Sequence, residues 1–177
     1  MKRDIYRTLR IVHGGFGYRD EDSYEEKCRC VRARIEELKE MIENGELGEI
    51  KRTSWIITDW YRTQQYYDSG SWRATWSGEG GGVLINQCPH QIDLVQWVVG
   101  EMPVEVNSFC QYGKWHDIEV EDEVTAYFRY KNGATGVFVT TTGETPGTNR
   151  FEVSGSLGKL VCEDNKDLFW YKNEIDS

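Results

Sequence analysis

The residues best suited to chemistry lie in one stretch, GGGVLINQCPHQIDLVQWVVG, which covers residues 80–100. Its three glycines allow backbone angles and close approaches that a Cβ would prevent. Pro89 fits the first turn of a helix, and Asn86 is a residue type that caps helices. His90 then falls in the first helical turn. An imidazole titrates near neutral pH, so this one could take a proton from a substrate hydroxyl.

The helix that positions this histidine has a defined face and a defined end. His90, Asp93, Leu94 and Trp97 recur at helical spacing and share one face, and Gly100 is placed to end the helix. We expect Asp93 to orient or cap a neighbour and Trp97 to lie in the core. A histidine early in an apolar helix is often only structural, and the adjacent glycine stretch favours the functional interpretation here.

An aromatic segment, DWYRTQQYYDSGSWRATW at residues 59–76, leads into the glycine stretch. Its irregular pattern fits either a surface loop pinned by aromatic side chains or a wall of a binding site, and we favour the binding wall. The planar fork of Arg62 could bind a carboxylate or vicinal hydroxyls, or could form a surface salt bridge. Tyr61, Trp72 and Arg73 are further candidate substrate contacts.

Residues 80–100 resemble the signature of the carboxy-terminal domain of the Gfo/Idh/MocA family of sugar and polyol oxidoreductases. The glycines, the amide, the histidine, the aspartate and the tryptophan all fall in the register of that signature. The similarity extends over roughly residues 40–165 and includes ENGELGEI at 43–50 and VEDEVT at 120–125. It implies an α+β fold with a largely antiparallel open β-sheet, helices packed on one face, related to dihydrodipicolinate reductase-like domains.

The resemblance also implies roles for these residues. It makes His90 the proton acceptor in NAD- or NADP-dependent oxidation of a carbohydrate or polyol, and it places Gly80, Gly81 and Gly82 beside the cofactor. Much of the family has Asp where this chain has Asn86, so we expect a polar site contact there, with a plain helix cap as the alternative. The family's sheets pack face to face in oligomers, which implies a homo-oligomer.

Two parts of a complete family member do not occur in this sequence. There is no GxGxxG fingerprint in a βαβ context, since GGFG at residues 14–17 does not match it, and the family's Glu-Lys-Pro phrase is missing. We therefore predict that the chain alone is inactive. It is either the substrate-binding and oligomerisation part of a dehydrogenase, a non-enzymatic sugar-binding or scaffolding module, or a partner subunit that completes a dehydrogenase in trans.

Composition narrows the class of protein further. The formal net charge of −9 over 177 residues argues against nucleic-acid binding, and no apolar run is long enough to span a membrane. The N-terminus lacks the apolar region of a signal peptide, and the five scattered cysteines fit reduced thiols, so a cytoplasmic location is expected. Cysteine spacing predicts no metal site.

The remaining pattern predicts an amphipathic helix, then a strand from Ile50 to Trp60 before the central helix, and several strands after it. We interpret residues 1–19 as a remnant of the exit from a cofactor domain and residues 20–177 as a single α+β domain. An amphipathic helix should end at Asn44-Gly45, and Asn132-Gly133 should form a hairpin turn. Along residues 119–130 one face is apolar and the other is mixed, so we expect the mixed face to meet another subunit. Its residues are Glu121, Glu123, Thr125, Tyr127 and Arg129.

Overall fold

The protein is α+β, with a mostly antiparallel open sheet and few helices, as the sequence predicts. The computed structural model describes the backbone of residues 6–9 and all of residues 33–173. Apart from the backbone of residues 6–9, the stretch 1–19 that we interpret as a remnant of a cofactor-domain exit lies outside the described residues. None of the described helices is long and apolar enough to cross a membrane.

The described elements are short, and the strands outnumber the helices. The helices are α1 (residues 33–43), α2 (Gln64–Asp68), α3 (Val83–Asn86) and α4 (Pro89–Val99). The strands are β1 (Tyr6–Leu9), β2 (Ile50–Ile57), β3 (Glu105–Tyr112), β4 (Glu121–Arg129), β5 (Thr135–Thr141), β6 (Asn149–Gly155), β7 (Gly158–Glu163) and β8 (Asp167–Lys172).

The described residues form two compact units. The first contains the residues up to Thr53 and from Arg150 onwards, and the second is Ser54–Asn149. In the first unit, β6, β7 and β8 pair antiparallel in sequence order, and β1 pairs with β8. Successive side chains of a strand point to opposite sides, and β7 buries three in a row, Leu160 to Cys162, so apolar residues are buried on both sides of this strand. The buried apolar residues of this unit are Ile35, Leu38, Leu47, Phe151, Val153, Leu160, Val161, Cys162 and Leu168.

The second unit carries the candidate site. Strands β3, β4 and β5 form an antiparallel meander, and the predicted Asn132-Gly133 turn joins β4 to β5. On β4, Val124 and Ala126 point inward and are buried, whereas Thr125 and Tyr127 point outward and are exposed. Phe138 of β5 lies opposite Ala126 and meets the ring of Trp55 edge-on at 6.5 Å. Helix α3 packs on β4, so the glycine stretch rests on this core.

A bulge at the start of β4 changes the predicted alternation. Tyr112 pairs with Glu121 and Gln111 pairs with Glu123, so Asp122 is an extra residue with no partner in β3. Bulges of this kind re-aim side chains. As a result Glu121 and Asp122 are both buried, and the prediction that Glu121 belongs to the outer face is wrong.

Candidate functional site

A buried carboxylate holds the glycine stretch in place. The backbone N–H of Gly82 donates to Glu121 Oε2 at 3.0 Å, and that of Leu84 donates to Glu121 Oε1 at 3.2 Å. Glu121 is only 6% exposed. A Cβ on Gly82 would lie 2.0 Å from the Glu121 carbonyl oxygen, so only glycine fits there. A negative charge at the start of α3 also suits the helix dipole.

The chain after the glycines forms two helices with a break between them. Helix α3 ends at Asn86, and α4 begins at Pro89 with Cys88 at its N-cap and no side-chain cap hydrogen bond. The interpretation of Asn86 as the helix cap is therefore wrong. The amide of Asn86 instead donates to the carboxylate of Glu79. Gly100 ends α4 in the left-handed conformation, as predicted.

Glu79 is an organising residue that the sequence analysis missed. Its side chain is 8% exposed, its Oε2 accepts from the backbone N–H of Ala74 at 2.7 Å, and its Oε1 accepts from Asn86. Nη1 of Arg73 lies 4.0 Å from Oε1. Glu79 therefore joins the end of the aromatic segment to the end of α3. Its position directly before the three glycines was the only signal in the sequence.

His90 lies on the exposed side of α4. Its side chain makes no hydrogen bond or ion pair with any of the described residues, and Asp93, one turn later, caps none of them. Trp97 is 43% exposed, so its predicted place in the core is wrong. The helix buries Val95 and Val98 instead. The face that carries His90, Asp93 and Trp97 is thus exposed.

The aromatic segment brings two of the predicted arginines onto one ring. Arg73 donates from Nη1 to the Tyr66 hydroxyl at 2.9 Å, and its guanidinium lies 4.5 Å from the centroids of Tyr66 and Trp72. The Arg62 guanidinium lies 5.1 Å from the Tyr66 centroid. The structure therefore groups Arg62, Arg73 and Trp72 around Tyr66. Tyr61 is exposed next to Arg62, and no ring contact joins it to this group.

A buried polar network fixes the backbone at Arg62. Nε2 of His116 lies 2.9 Å from the Arg62 carbonyl oxygen, and Nδ1 lies 3.3 Å from Asp122 Oδ2. The His116 side chain is 6% exposed and Asp122 is fully buried. The backbone N–H of Arg62 also donates to the carbonyl of Thr142 at 2.9 Å. His116 is thus a structural residue behind the candidate binding wall.

The carboxylate of Asp122 is also fully hydrogen-bonded by the loop that precedes β4. Its carboxylate accepts from the backbone N–H groups of Lys114, Trp115 and His116. The neighbouring Tyr67 donates to Thr142 Oγ1 at 2.9 Å, and burial raises the pKa of its hydroxyl. The sequence signal for Glu121 and Asp122 was the run of three acidic residues, Glu121 to Glu123, that opens β4. Without the bulge, alternation puts one of the two outside.

Cys88, the cysteine nearest the site, has an unreactive thiol. Cys88 is buried at the junction of α3 and α4, its sulfur lies 3.0 Å from Thr140 Oγ1, and burial raises the pKa of its thiol to about 11. A thiol in this state is neither a nucleophile nor a metal ligand at neutral pH. No group of three His, Cys, Asp or Glu side chains within residues 33–173 is arranged to hold a metal ion.

Within residues 33–173 the geometry offers an imidazole that can act as a base and a wall of polar and aromatic side chains, and the glycine stretch there forms no phosphate cradle. His90 can accept a proton, and Arg62, Arg73 and Trp72 can bind polar groups and sugar faces. Dinucleotide sites bind the pyrophosphate with free N–H groups at the start of a long helix. Here the N–H groups of Gly82 and Leu84 already bond to Glu121, and α3 has four residues. The glycine stretch therefore does not fit a dinucleotide.

Comparison with known proteins identifies relatives over most of the described chain. A family model described as the GFO/IDH/MocA C-terminal domain matches residues 35–161. YteT of Bacillus subtilis (strain 168) is 29% identical over 94 residues, which are 48% of this chain and 21% of YteT.

Solved structures show the same fold. The WlbA dehydrogenase from Bordetella pertussis, in complex with NADH and UDP-GlcNAcA, superimposes with a TM-score of 0.73 at 28% identity, over 81% of this chain and 44% of that one. A levoglucosan dehydrogenase in complex with NADH and levoglucosan gives 0.68 at 25% identity, over 82% and 43%. This chain thus spans less than half the length of these relatives.

Proposed function

Since this chain belongs to the GFO/IDH/MocA C-terminal domain family, we propose that it is the substrate-binding and oligomerisation domain of an NAD- or NADP-dependent sugar or polyol dehydrogenase. The observation that carries this proposal is the exposed, unengaged His90 on the first turn of α4. The helix follows a glycine stretch that is fixed by Glu121. Similar chains of known structure bind NADH with UDP-GlcNAcA or with levoglucosan.

We assign cofactor binding and substrate binding to different parts of the enzyme. A nicotinamide cofactor takes hydride from the substrate carbon, and a separate domain must bind that cofactor, because the glycine stretch here does not fit it. This chain contributes the groups that position the hydroxyl-bearing carbon and the imidazole that receives the hydroxyl proton. Asn86, held by Glu79, is a polar contact near this position and has no proton-transfer role.

The test is the loss of the imidazole in an assembly with a cofactor domain, supplied by fusion or by mixing. His90→Ala should lower kcat and kcat/KM together by about 10²–10⁴-fold, because proton removal helps only in the transition state. Asp93→Asn, one turn along the same exposed face, is the matched control and should change neither value by more than a few-fold. Turnover of His90→Ala within a few-fold of the parent would refute the assignment.

The same assembly distinguishes the remaining alternatives. If mixing restores turnover as well as fusion does, the chain acts as a partner subunit in trans. If neither restores turnover although sugars bind, the chain is a non-enzymatic binding module. Alone, the chain should show no saturable micromolar site when NADH is titrated and tryptophan fluorescence is followed.

Oligomerisation is part of the proposal and rests on the outer face of the meander. Phe109 is 75% exposed there, and it lies opposite Thr125, next to Tyr127. An exposed apolar patch of this kind is typical of an interface. Phe109→Asp should weaken self-association at least about tenfold in sedimentation experiments, whereas Lys131→Asp in the hairpin turn should not. A 20.6 kDa monomer for the parent at high concentration would contradict the proposal.

We also propose that the protein is located in the cytoplasm, a reducing compartment. The three described cysteines, Cys88, Cys110 and Cys162, are all free thiols. Free thiols are typical of cytoplasmic proteins, because disulfides form and persist in oxidising compartments.

A further inference from the structure

We infer that the substrate carries an anionic group, a carboxylate or a phosphate, and that Arg62 binds it. This inference rests on the proposed function, since it specifies the class of sugar that the candidate site accepts. It starts from the one arginine of the described chain whose charge nothing balances.

Arg62 differs from every other arginine whose side chain the structure describes. Among residues 33–173 no carboxylate oxygen lies within 4.0 Å of its guanidinium, although the whole chain has 30 acidic residues against 21 basic ones. Each of the other five described arginines has a carboxylate within that distance. These pairs are Arg34–Glu37, Arg52–Glu152, Arg73–Glu79, Arg129–Glu105 and Arg150 with Glu152 and Glu163.

The guanidinium of Arg62 also has unused donors. Its Nη1 donates to the carbonyls of Trp60 at 3.4 Å and Tyr61 at 3.0 Å. Its Nε is buried without a partner, and its Nη2 donates to none of the described residues. Two neutral carbonyls do not compensate a unit positive charge as a carboxylate or a phosphate does.

The carboxylates near Arg62 are already bonded to other groups. Arg73 shares the Tyr66 ring with Arg62, which brings two guanidinium groups together. The carboxylate that pairs with this group is Glu79, which lies 4.0 Å from Arg73 and already accepts from Ala74 and Asn86. Asp122, beyond His116, is committed to three backbone N–H groups. Neither carboxylate lies within 4.0 Å of the Arg62 guanidinium, so an anionic ligand could take that place.

The position of Arg62 is fixed before any ligand arrives. His116 and Thr142 hold its backbone carbonyl and N–H, and Tyr66 supports the guanidinium. A preorganised fork loses little conformational freedom on binding, so the charge-assisted hydrogen bonds contribute to affinity directly. A neutral sugar could use the same donors through its hydroxyls, but it would leave the charge uncompensated.

The experiment compares three matched sugars on the intact chain: D-glucuronate, D-glucose 6-phosphate and D-glucose. Binding is measured by titration calorimetry or by ligand-observed NMR, which detects millimolar affinities. At least one of the charged sugars should bind about 10- to 100-fold more tightly than glucose. A preference for glucuronate identifies a carboxylate as the anchor, and a preference for glucose 6-phosphate identifies a phosphate.

Variants link the preference to the residue. Arg62→Gln should remove the preference for the charged sugar to within about twofold, and Arg62→Lys should retain part of it, because the charge stays while the fork is lost. Arg52→Gln, an exposed arginine of the other unit, is the matched control and should change nothing. Circular dichroism and thermal melting show that each variant is folded.

Each outcome decides the matter. Equal binding of all three sugars, or a preference that survives Arg62→Gln in a folded chain, overturns the anionic anchor and leaves the proposed sugar-binding function standing. Failure to bind any of the three sugars overturns the anchor as well. The proposed dehydrogenase role is then decided separately by the His90→Ala measurement, which does not depend on sugar charge.

Discussion

Two sets of polar side chains in the second unit differ in their hydrogen bonding. The first set is the buried carboxylates Glu121 and Asp122, and the second is His90 and Arg62. Glu121 accepts from two backbone N–H groups, and Asp122 accepts from three and from His116. By contrast, His90 bonds to none of the described residues, and Arg62 has no anionic partner among them. The first set builds the scaffold, whereas the second set is left with capacity for a ligand.

We propose that this difference separates polar residues with a structural role from polar residues that bind or act on a ligand, without knowledge of the substrate. A buried carboxylate is tolerated only when its oxygens are bonded, so saturation is the sign of a folding role. A polar group that has no hydrogen-bond or ion-pair partner within the protein still has donors or acceptors available for a ligand. Substitutions in the two sets should therefore affect different measurements: folding stability in the first, and binding or turnover in the second.

The largest expected effect is on the scaffold side, at Asp122. Asp122→Ala leaves three backbone N–H groups and the His116 ring without their acceptor, and we expect a loss of about 3–5 kcal/mol in the free energy of unfolding. Urea denaturation measures it. Glu123→Ala is the matched control, since this half-exposed neighbour bonds only to Lys114 and Trp115 side chains, and it should cost less than about 1 kcal/mol. If the two variants lose the same free energy of unfolding, the hydrogen bonding of Asp122 does not mark it as a structural residue.

The next effect concerns the glycines. Gly82→Ala would place a Cβ against the Glu121 backbone, which cannot move aside, and we expect a loss of about 3 kcal/mol. Gly80→Ala meets open space at φ +80° and should cost only the left-handed strain of about 1–2 kcal/mol. Urea denaturation of both variants checks the order. If Gly80→Ala is the more harmful change, contact with Glu121 does not fix the stretch.

Thiol labelling compares the buried thiol of Cys88 directly with the more exposed thiol of Cys110. Burial raises the pKa of Cys88 to about 11, so its thiolate fraction at pH 8 should be roughly 10²-fold below that of an ordinary thiol. Half-buried Cys110 should react with iodoacetamide before Cys88 and Cys162, the two buried cysteines of the described residues, as peptide mass mapping would show. Labelling of Cys88 should rise about tenfold per pH unit between pH 8 and 10, since the thiolate forms only as the pH approaches its pKa. Rapid labelling of Cys88 at pH 8 would contradict this.

The smallest effect is at Asn86, on the border between the two sets. Its amide donates to Glu79, so Asn86→Asp replaces a donor with a second carboxylate. We expect a cost of about 1 kcal/mol in unfolding free energy at pH 7. The repulsion should raise the pKa of the carboxylate pair, so the cost should shrink as the pH falls towards about 4, where one proton removes the like-charge contact. Asn86→Gln, which keeps the donor, is the control, and a pH-independent cost would refute the pairing with Glu79.

Much of the fold could be predicted from the sequence, because its signals are local. The stop at Asn44-Gly45, the Asn132-Gly133 turn and the end of α4 at Gly100 each depend on one residue type at one backbone conformation. The family register likewise found the glycine stretch and His90. These features require no knowledge of what lies far away in the chain.

The carboxylates of the site could not be predicted in the same way. Their partners lie 37 and 39 residues away for Glu121, and 5 and 7 residues away across a turn for Glu79. The bulge that turns both Glu121 and Asp122 inward depends on the pairing of β4 with β3, which alternation within β4 alone does not reveal. Trp97 was misplaced for a related reason, since helical spacing defines a face but not the direction in which that face points.

Strand β3 has a consequence for solubility. Its one partner within the described residues is β4, so its other edge presents unpaired N–H and C=O groups, which in many proteins recruit further strands and lead to aggregates. Here the bulge between Gln111 and Tyr112 interrupts the flat edge at one end, and the ion pair of Glu105 with Arg129 places charge at the other. We expect these two features to disfavour the addition of a further strand at β3, so that a second copy would stack on the exposed face of the meander rather than extend the row of strands at that edge.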